Sequence, residues 1–434
     1  MSSVFYRTPR HTYPVAVAGL GAWVTDQAGR RYLDMSGGAA VSLLGHQQPD
    51  IVAAIQAQVG ALAYAHTAFF TTNAQEQLAE MLVTRFNDRA SRVYFSSGGS
   101  EANETAIKMA WQYWAAKGRP EKQVIISREN SYHGNTFLTL SVSGNVGRRK
   151  AAAAPLLDWP RLPTCYPYRE QRASETVADY GARLAAELDR TLMAVGADQV
   201  AAFICEPVIG ASLGAVAPVP GYLAAVESVC RQHGVLLIFD EVMAGSGRCG
   251  TYFAHEQDGA RPDIVTLGKG IAAGYQPLAA TIIAGDIADT LASAGFTHGH
   301  TYIGHPVACA AGVAVQQQLD LGLIRDKGEL MKQALVSRFG EASFVGDIRG
   351  RGLLLGLELV SDKTTKAGFS EPLADRLRLE AMAQGLICYP GQFKTEAGFV
   401  PHILLAPPAI CTQDDIALCC DALALVFDKV LNVV

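Results

Sequence analysis

The sequence is poor in charged residues and has no cysteine pattern of a disulfide or metal framework. Only 18% of its 434 residues are charged, against 49% that are hydrophobic, so we expect a large packed interior rather than disorder. The net charge of −5 argues against nucleic acid and anionic membranes as partners. Nine cysteines are scattered without a C-x-x-C pair, which is typical of reduced cytoplasmic thiols, and we predict no metal site.

The sequence also lacks a secretion signal and a convincing membrane span. Residues Met1–Arg10 contain no apolar core of the kind that a signal peptide needs. The charge-free run Val208–Val226 is interrupted by three glycines and two prolines, which favours a loop that enters a helix over a bilayer span. We therefore expect a soluble cytoplasmic protein.

Two short apolar runs are each followed by charged side chains. Val235–Phe239 is continuously apolar, as a strand buried on both faces requires, and Asp240 and Glu241 come directly after it. The run Ile264–Leu267 is followed one residue later by Lys269. Because ligands bind where parallel strands end, a carboxylate and an amine in these positions predict an active site.

Further apolar runs alternate with helical patterns along the middle of the chain. The predicted strands are Arg92–Phe95, Gln123–Ser127 and Val200–Cys205. Alternating strands and helices predict an α/β fold with a mostly parallel sheet covered by helices. We predict that His305–Leu321 is one long helix, after which the pattern changes to α+β.

This change of pattern suggests a large domain and a smaller one. We predict that residues 1–55 form an N-terminal segment that joins the small domain. Residues 56–322 are the predicted large domain, and residues 323–434 are the predicted C-terminal part of the small α+β domain.

A glycine-rich loop follows the first of the predicted strands. In the segment Ser96–Glu104, Gly98 and Gly99 allow a close backbone approach, and a helix that starts here offers free N–H groups to an anion such as phosphate. Ser100 adds a hydroxyl group. An ordinary glycine-rich turn with Ser100 as the N-cap remains an alternative.

Other side chains follow the remaining strands. Tyr132 and His133 could stack on a planar cofactor or could simply pack, and Glu206 adds a carboxylate at the same predicted edge. A lysine that forms a Schiff base, a phosphate cradle and an acid are together what pyridoxal phosphate requires. Gly245–Gly250 matches the letters of a dinucleotide fingerprint, but no convincing helix follows, so we reject that interpretation.

Six segments resemble, in order, those of the class III (ω-) aminotransferases, which are fold type I enzymes that use pyridoxal phosphate. They read SSGGSEANETAIKMA, SYHGNT, FICEP, LLIFDEVMAGSGRCG, TLGKGI and THGHTYIGHPVACAAG. The resemblance covers nearly the whole chain and is nearest to amine or ω-amino acid:pyruvate transaminases. It implies a large cofactor-binding domain, a smaller domain and a homodimer, possibly a tetramer, with shared active sites.

The resemblance also implies catalytic and cofactor-binding residues. Lys269 resembles the catalytic lysine that forms the Schiff base and shuttles a proton in a ping-pong mechanism. Asp240 resembles the catalytic partner of the pyridine nitrogen, supported by Glu206, and Tyr132 and Val242 would contact the two ring faces. The other implied cofactor-binding residues are Gly98, Gly99, Ser100, His133 and Thr301, of which Thr301 would reach the phosphate of the neighbouring subunit.

The sequence departs from the family pattern around the substrate. Many pyruvate-using members carry a carboxylate-binding arginine before the APP motif, but this sequence has no arginine after Arg378. Lys394 and His402 are the nearby alternatives, and small residues occupy positions 39 and 40, where many amine-using members have a bulky aromatic. The predicted substrate pocket consists of Ala39, Ala40, Phe69, Phe70 and His402.

These departures predict a roomy pocket. We expect a bulky primary amine or an ω-amino acid as donor and a keto acid as acceptor, pyruvate first and 2-oxoglutarate second. An aminomutase or a decarboxylase on the same scaffold is the alternative enzyme. A non-enzymatic regulator would lack the lysine or carry a helix-turn-helix segment, neither of which fits this sequence.

Overall fold

The computed structural model describes residues 3–9, 11–152 and 154–431. Its strands lie in three sheets. In chain order they are Ala16–Leu20 (β1), Trp23–Asp26 (β2), Arg31–Asp34 (β3), Arg92–Ser96 (β4), Val124–Arg128 (β5), Arg161–Leu162 (β6), Val200–Cys205 (β7), Leu236–Asp240 (β8), Ile264–Leu267 (β9), Ala279–Ile283 (β10), Val345–Arg351 (β11), Leu354–Leu359 (β12), Leu386–Ile387 (β13), Tyr389–Thr395 (β14) and Gly398–Leu405 (β15).

Helices cover and connect these strands. In chain order they are Gly37–Ala40 (α1), Pro49–Ala61 (α2), Asn73–Phe86 (α3), Gly99–Ala116 (α4), Phe137–Val142 (α5), Val146–Ala151 (α6), Pro167–Glu170 (α7), Val177–Val195 (α8), Tyr222–His233 (α9), Gly285–Ala294 (α10), Pro306–Gln317 (α11), Leu321–Phe339 (α12), Ala374–Ala383 (α13) and Gln413–Leu431 (α14). Short 3₁₀ turns span Ala197–Gln199, Ala254–Asp258 and Lys269–Ile271.

The central sheet has seven strands in the order β4-β10-β9-β8-β7-β5-β6. Strands β9, β8, β7, β5 and β6 pair in parallel, and β10 runs antiparallel to both of its neighbours. Every residue of β7 and of β8 is buried, which explains their continuous apolar sequences. The predicted α/β fold with a mostly parallel, helix-covered sheet is therefore confirmed.

The first and last parts of the chain meet in a smaller sheet. Strand β13 pairs in parallel with β3, in the order β1-β2-β3-β13. A third sheet is antiparallel, in the order β11-β12-β15-β14. The N-terminal segment thus shares a sheet with the C-terminal region, while the predicted boundaries at residues 55 and 322 stay predictions.

One predicted helix ends earlier in the structure than the sequence indicates. Instead of a single helix over His305–Leu321, α11 ends at Gln317 and α12 begins at Leu321, and the two axes differ by 72°. The side chain of Asp320 accepts a hydrogen bond from Leu323 N at 3.0 Å and so caps the second helix. In the described part of the chain no single helix could span a membrane, and only this bent pair meets the length and composition of a span.

Candidate active site

A cavity of about 180 Å³ lies where the central strands end. Strands β4, β7, β8 and β9 point the same way, so the residues that follow them share one edge of the sheet. The residues that line the cavity are Gly99, Ser100, Asn103, Tyr132, His133, Gly134, Glu206, Ala211, Asp240, Val242, Met243 and Lys269. The structure thus brings together eight of the sequence-predicted residues: Gly99, Ser100, Tyr132, His133, Glu206, Asp240, Val242 and Lys269.

Asp240 is the last residue of β8 and is only 5% exposed. Its Oδ2 accepts hydrogen bonds from Asn103 Nδ2 at 2.7 Å and from His133 Nδ1 at 2.8 Å. Its Oδ1 accepts from the backbone N–H of Val242 at 3.1 Å. These donors stabilise the ionised carboxylate at a buried position, where an unpaired charge would be costly.

Asn103 is a site residue that the sequence analysis missed. It is 1% exposed, and its amide group donates to Asp240 while its Oδ1 accepts from Thr266 Oγ1 at 2.7 Å. Asn103 lies four residues after Gly99 in α4, so both residues face the same side of the helix. That spacing is the signal that could have identified Asn103.

Glu206 accepts hydrogen bonds from two backbone N–H groups. Its Oε1 accepts from the backbone N–H of Tyr132 at 3.0 Å, and its Oε2 accepts from that of Gly210 at 3.2 Å. Burial raises the pKa of Glu206, and the nearby Asp240 carboxylate raises it further, while His133 opposes this shift. Glu206 therefore orients the backbone of two cavity segments, and no hydrogen bond links it to Asp240 among the described residues.

Glu241, the neighbour of Asp240 in the chain, points away from the cavity. It is fully buried and accepts hydrogen bonds from the backbone N–H groups of Ala254 and His255 at 2.7 and 2.9 Å. The side chain of His255 adds a contact at 2.7 Å. Glu241 thus stabilises the turns after β8. The segment Gly245–Gly250 consists of turns and a bend and starts no helix, which agrees with our rejection of a dinucleotide fingerprint.

Lys269 begins the 3₁₀ turn after β9 and has a backbone φ of 45°. Positive φ is uncommon outside glycine, and such backbone strain clusters at functional sites. Burial of the ammonium group lowers the pKa of Lys269, although the carboxylates of Asp240 and Glu206 oppose this shift. A larger fraction of Lys269 is therefore the neutral, nucleophilic amine than for a lysine in water.

The start of α4 offers a binding site for an anion. The first N–H groups of a helix have no intrahelical partner and carry the positive end of its dipole. Ser100 accepts a hydrogen bond from Asn135 N at 3.1 Å, which leaves its own hydroxyl hydrogen for a ligand. A Cβ at Gly99 would lie 2.7 Å from Val242 Cγ1, so only glycine fits there, while a Cβ at Gly98 would meet open space. The backbone is therefore accessible as a phosphate cradle requires.

Tyr132 contributes an aromatic face to the cavity. The Arg148 guanidinium lies over its ring, 4.7 Å from the centroid, so one ring face is already covered. Nearby, His133 is 1% exposed, and its Nε2 has no hydrogen-bond partner within the described ranges. A buried polar atom without a partner beside a cavity is a further sign that a polar ligand binds there.

Other predicted residues lie outside the cavity. Phe69 and Phe70 are 80% and 68% exposed, and Thr301 is also exposed, with its carbonyl oxygen accepting from Tyr64 Oη at 2.8 Å. Whether these three residues complete the site of a second subunit stays a prediction. Ala40 is buried, and neither it nor Ala39 lines the cavity.

The prediction that His402 lines the substrate pocket needs correction. His402 is fully buried in β15, and its Nε2 contacts the carbonyl oxygen of Ala211 at 3.2 Å. Its ring packs where Gly214 and Gly391 leave room, since a Cβ at either position would lie less than 3 Å from it. Burial lowers the pKa of His402 to about 3, so the ring is neutral and offers no charge to a substrate carboxylate.

Comparison with known proteins identifies the family. The family model of the class-III aminotransferases matches residues 5–427. An uncharacterized aminotransferase of Schizosaccharomyces pombe is 37% identical and is aligned over 97% of this chain and 94% of its own length. The chain belongs to the class-III aminotransferases.

Solved structures agree with this assignment. A thermostable (S)-enantioselective ω-transaminase from Thermomicrobium roseum is 36% identical, with a TM-score of 0.89 over 99% of this chain and 95% of that one. A pyridoxamine-phosphate-bound aminotransferase from Vibrio fluvialis is 32% identical, with a TM-score of 0.89 over 97% and 93%. The protein is therefore an aminotransferase whose cofactor is pyridoxal phosphate, and the open helix N-terminus, the buried amine and the unpartnered His133 nitrogen fit this cofactor.

Proposed function

We propose that this aminotransferase moves the amino group of a bulky primary amine or ω-amino acid to a keto acid, with pyruvate as the main acceptor and 2-oxoglutarate second. The observation that carries the proposal is the composition of the cavity lining. Lys269 is its one lysine or arginine, and Ala211 and Met243 contribute apolar surface. A donor with at most one carboxylate suits such a lining better than a dicarboxylate does.

Each residue of the site has its own role in the proposed reaction. Pyridoxal phosphate, when bound, supplies an electron sink for the carbon that carries the amino group. The side-chain amine of Lys269 would bind the cofactor, and its Nζ would then accept and donate the transferred proton. Asp240 holds negative charge for the ring nitrogen, and Gly98, Gly99 and Ser100 hold the phosphate.

The absence of an arginine after Arg378 supports a donor without a dedicated carboxylate site. His402 is neutral, and Lys394 is exposed with its ammonium over the Phe399 ring at 5.2 Å, so neither is a buried carboxylate clamp. A planar arginine fork is what binds a carboxylate bidentately. Pyruvate has one carboxylate and 2-oxoglutarate has two, so the lack of a dedicated arginine clamp favours pyruvate as acceptor.

We also propose a homodimer with shared sites in the cytoplasm. Phe69, Phe70 and Tyr302 are 80%, 68% and 60% exposed, and large exposed apolar side chains often mark an interface. Thr301 lies beside Tyr302 and would reach the partner's phosphate. The cytoplasmic location is supported by nine cysteines that are all free and buried. Light scattering of the purified enzyme should give twice the chain mass, and a mass of one chain would contradict the dimer.

A donor and acceptor screen tests the proposed substrates. Purified enzyme with pyruvate should convert 1-phenylethylamine faster than β-alanine, and pyruvate should exceed 2-oxoglutarate as acceptor. A strong preference for small ω-amino acids would contradict the bulky donor. Turnover without any keto acid would indicate an aminomutase, and release of carbon dioxide would indicate a decarboxylase. The Lys269→Ala variant is the control for background reaction.

A further inference from the structure

The cavity has one wall without hydrogen-bonding side chains. The glycines and Ser100 lie at the helix start, and Asp240, Asn103 and His133 form the acidic end. The remaining lining includes Ala211 and Met243, whose side chains carry no charge and no strong donor. An apolar substituent of a donor would find its surface here.

Met243 is held closely against Gly210. A Cβ built on Gly210 would lie 2.0 Å from Met243 Sδ and 3.1 Å from its Cγ. The thioether therefore crosses directly over the glycine, in space that any other residue at position 210 would occupy. Gly210 is itself oriented by Glu206, whose Oε2 accepts its N–H at 3.2 Å.

The other side of Met243 contacts an apolar cluster. Met243 is 9% exposed and packs in the cluster that contains Ala40 and Leu404, with Ala211 packed against it. The small residue at position 40 was expected to enlarge the pocket, but Ala40 is 1% exposed and belongs to this cluster, outside the cavity lining. Met243 thus fills the room that Gly210, Ala40 and Ala211 leave.

We infer that Met243 is a specificity-determining residue, and that its side chain is an adjustable wall that sets the size of the apolar donor group. Methionine is unbranched and has three rotatable side-chain bonds, so it repacks at lower cost than a branched residue. Movement of the thioether out of the cavity, toward the cluster that contains Ala40, would enlarge the cavity. This inference deepens the proposed function and rests on it for the identity of the ligand as an amine.

The inference is tested by one substitution that removes the Met243 side chain and one that adds a methyl group to Gly210, which it contacts. Met243→Ala should raise kcat/KM for 1-phenylethylamine relative to isopropylamine by about 10-fold, which is the usual scale for a few methylene groups in a pocket. Gly210→Ala should lower the same ratio, because its new methyl group drives the thioether into the cavity. Met243→Leu keeps the volume and should change the ratio by less than about 3-fold. Met193→Ala, at a position 60% exposed in α8, is the matched control.

A binding measurement separates this inference from the proposed function. Acetophenone has no amine, so the enzyme loaded with pyridoxal phosphate cannot convert it. Calorimetry of its binding therefore measures how the wall around Met243 accommodates an aryl group without turnover. Tighter binding of acetophenone by Met243→Ala supports the inference. If the enzyme then turns over no amine, only the proposed function fails. The inference is overturned if Met243→Ala and Gly210→Ala both turn over amines while the donor ratio and the acetophenone affinity stay unchanged. If Met243→Ala does not fold, Met243→Val takes its place in both measurements.

Discussion

His133 Nδ1 lies 2.8 Å from Asp240 Oδ2, and both side chains are almost completely buried. Asn103 donates to the same oxygen at 2.7 Å, so two side chains converge on one carboxylate oxygen. The second oxygen accepts a hydrogen bond from the backbone N–H of Val242 at 3.1 Å. This arrangement keeps a negative charge in a site where water does not screen it, and that charge is what the ring nitrogen of the cofactor requires.

Replacing Asp240 by Asn should therefore lower the rate while the fold is kept. The variant removes the charge but preserves the shape, and losing one preorganised electrostatic group costs about 100- to 1000-fold. We expect kcat/KM to fall on this scale and the dissociation constant of the cofactor to rise. Steady-state kinetics and cofactor titration check this prediction.

A second His–Asp pair provides the control. Asp189 lies 2.6 Å from His233, both side chains are partly exposed, and neither lines the cavity. Asp189→Asn should leave both the rate and the cofactor affinity unchanged. An unchanged rate in Asp240→Asn would show that another group supplies the charge.

Lys269→Ala should give a folded protein without transamination. Loss of a proton-transferring group costs about 100- to 10,000-fold, and this variant also loses the amine that attaches the cofactor. After borohydride reduction of the wild-type enzyme, peptide mapping should find the cofactor mass on the peptide that contains Lys269. Lys394→Ala, at an exposed lysine, should retain both activity and labelling of Lys269. Label on a different lysine would contradict the assignment.

We expect His402 to lower the free energy of unfolding as the pH falls below about 6.5. Its folded-state pKa is lowered to about 3 from an ordinary value of 6.5, so the unfolded chain binds the proton first as the pH falls. The stability contributed by the neutral buried ring is therefore complete above about pH 6.5 and is lost progressively below it. The slope has a limit of about 1.4 kcal/mol per pH unit.

Urea unfolding at a series of pH values checks this prediction. His402→Asn removes the titrating ring, so its curve should be flatter than that of the wild type between pH 6.5 and pH 4, although the smaller side chain lowers stability at every pH. His66→Asn, at an exposed histidine, should leave the slope unchanged. Parallel curves for the wild type and His402→Asn would contradict the assigned pKa.

The core of the site could be predicted because its residues follow apolar strands. Asp240 ends β8, Glu206 follows β7 by one residue and Lys269 follows β9 by two, and parallel strands bring such positions to one edge. Local sequence patterns were enough to predict these three residues, because the position of each one depends only on the strand that precedes or contains it. The end of α11 was predicted four residues too late, at Leu321 instead of Gln317, because Leu319 and Leu321 continue the apolar pattern and only the Asp320 cap marks the break.

The sequence by itself determined the α/β fold, the family and the set of groups that serve the cofactor. The tertiary structure decided which residues meet: Asn103 reaches Asp240 across 137 positions, and Met243 covers Gly210. It also decided that His402 is a neutral core residue rather than a residue of the substrate pocket. The physical reason is that strand and helix patterns follow from neighbouring residues, whereas burial, pKa and the shape of a wall depend on packing between distant segments.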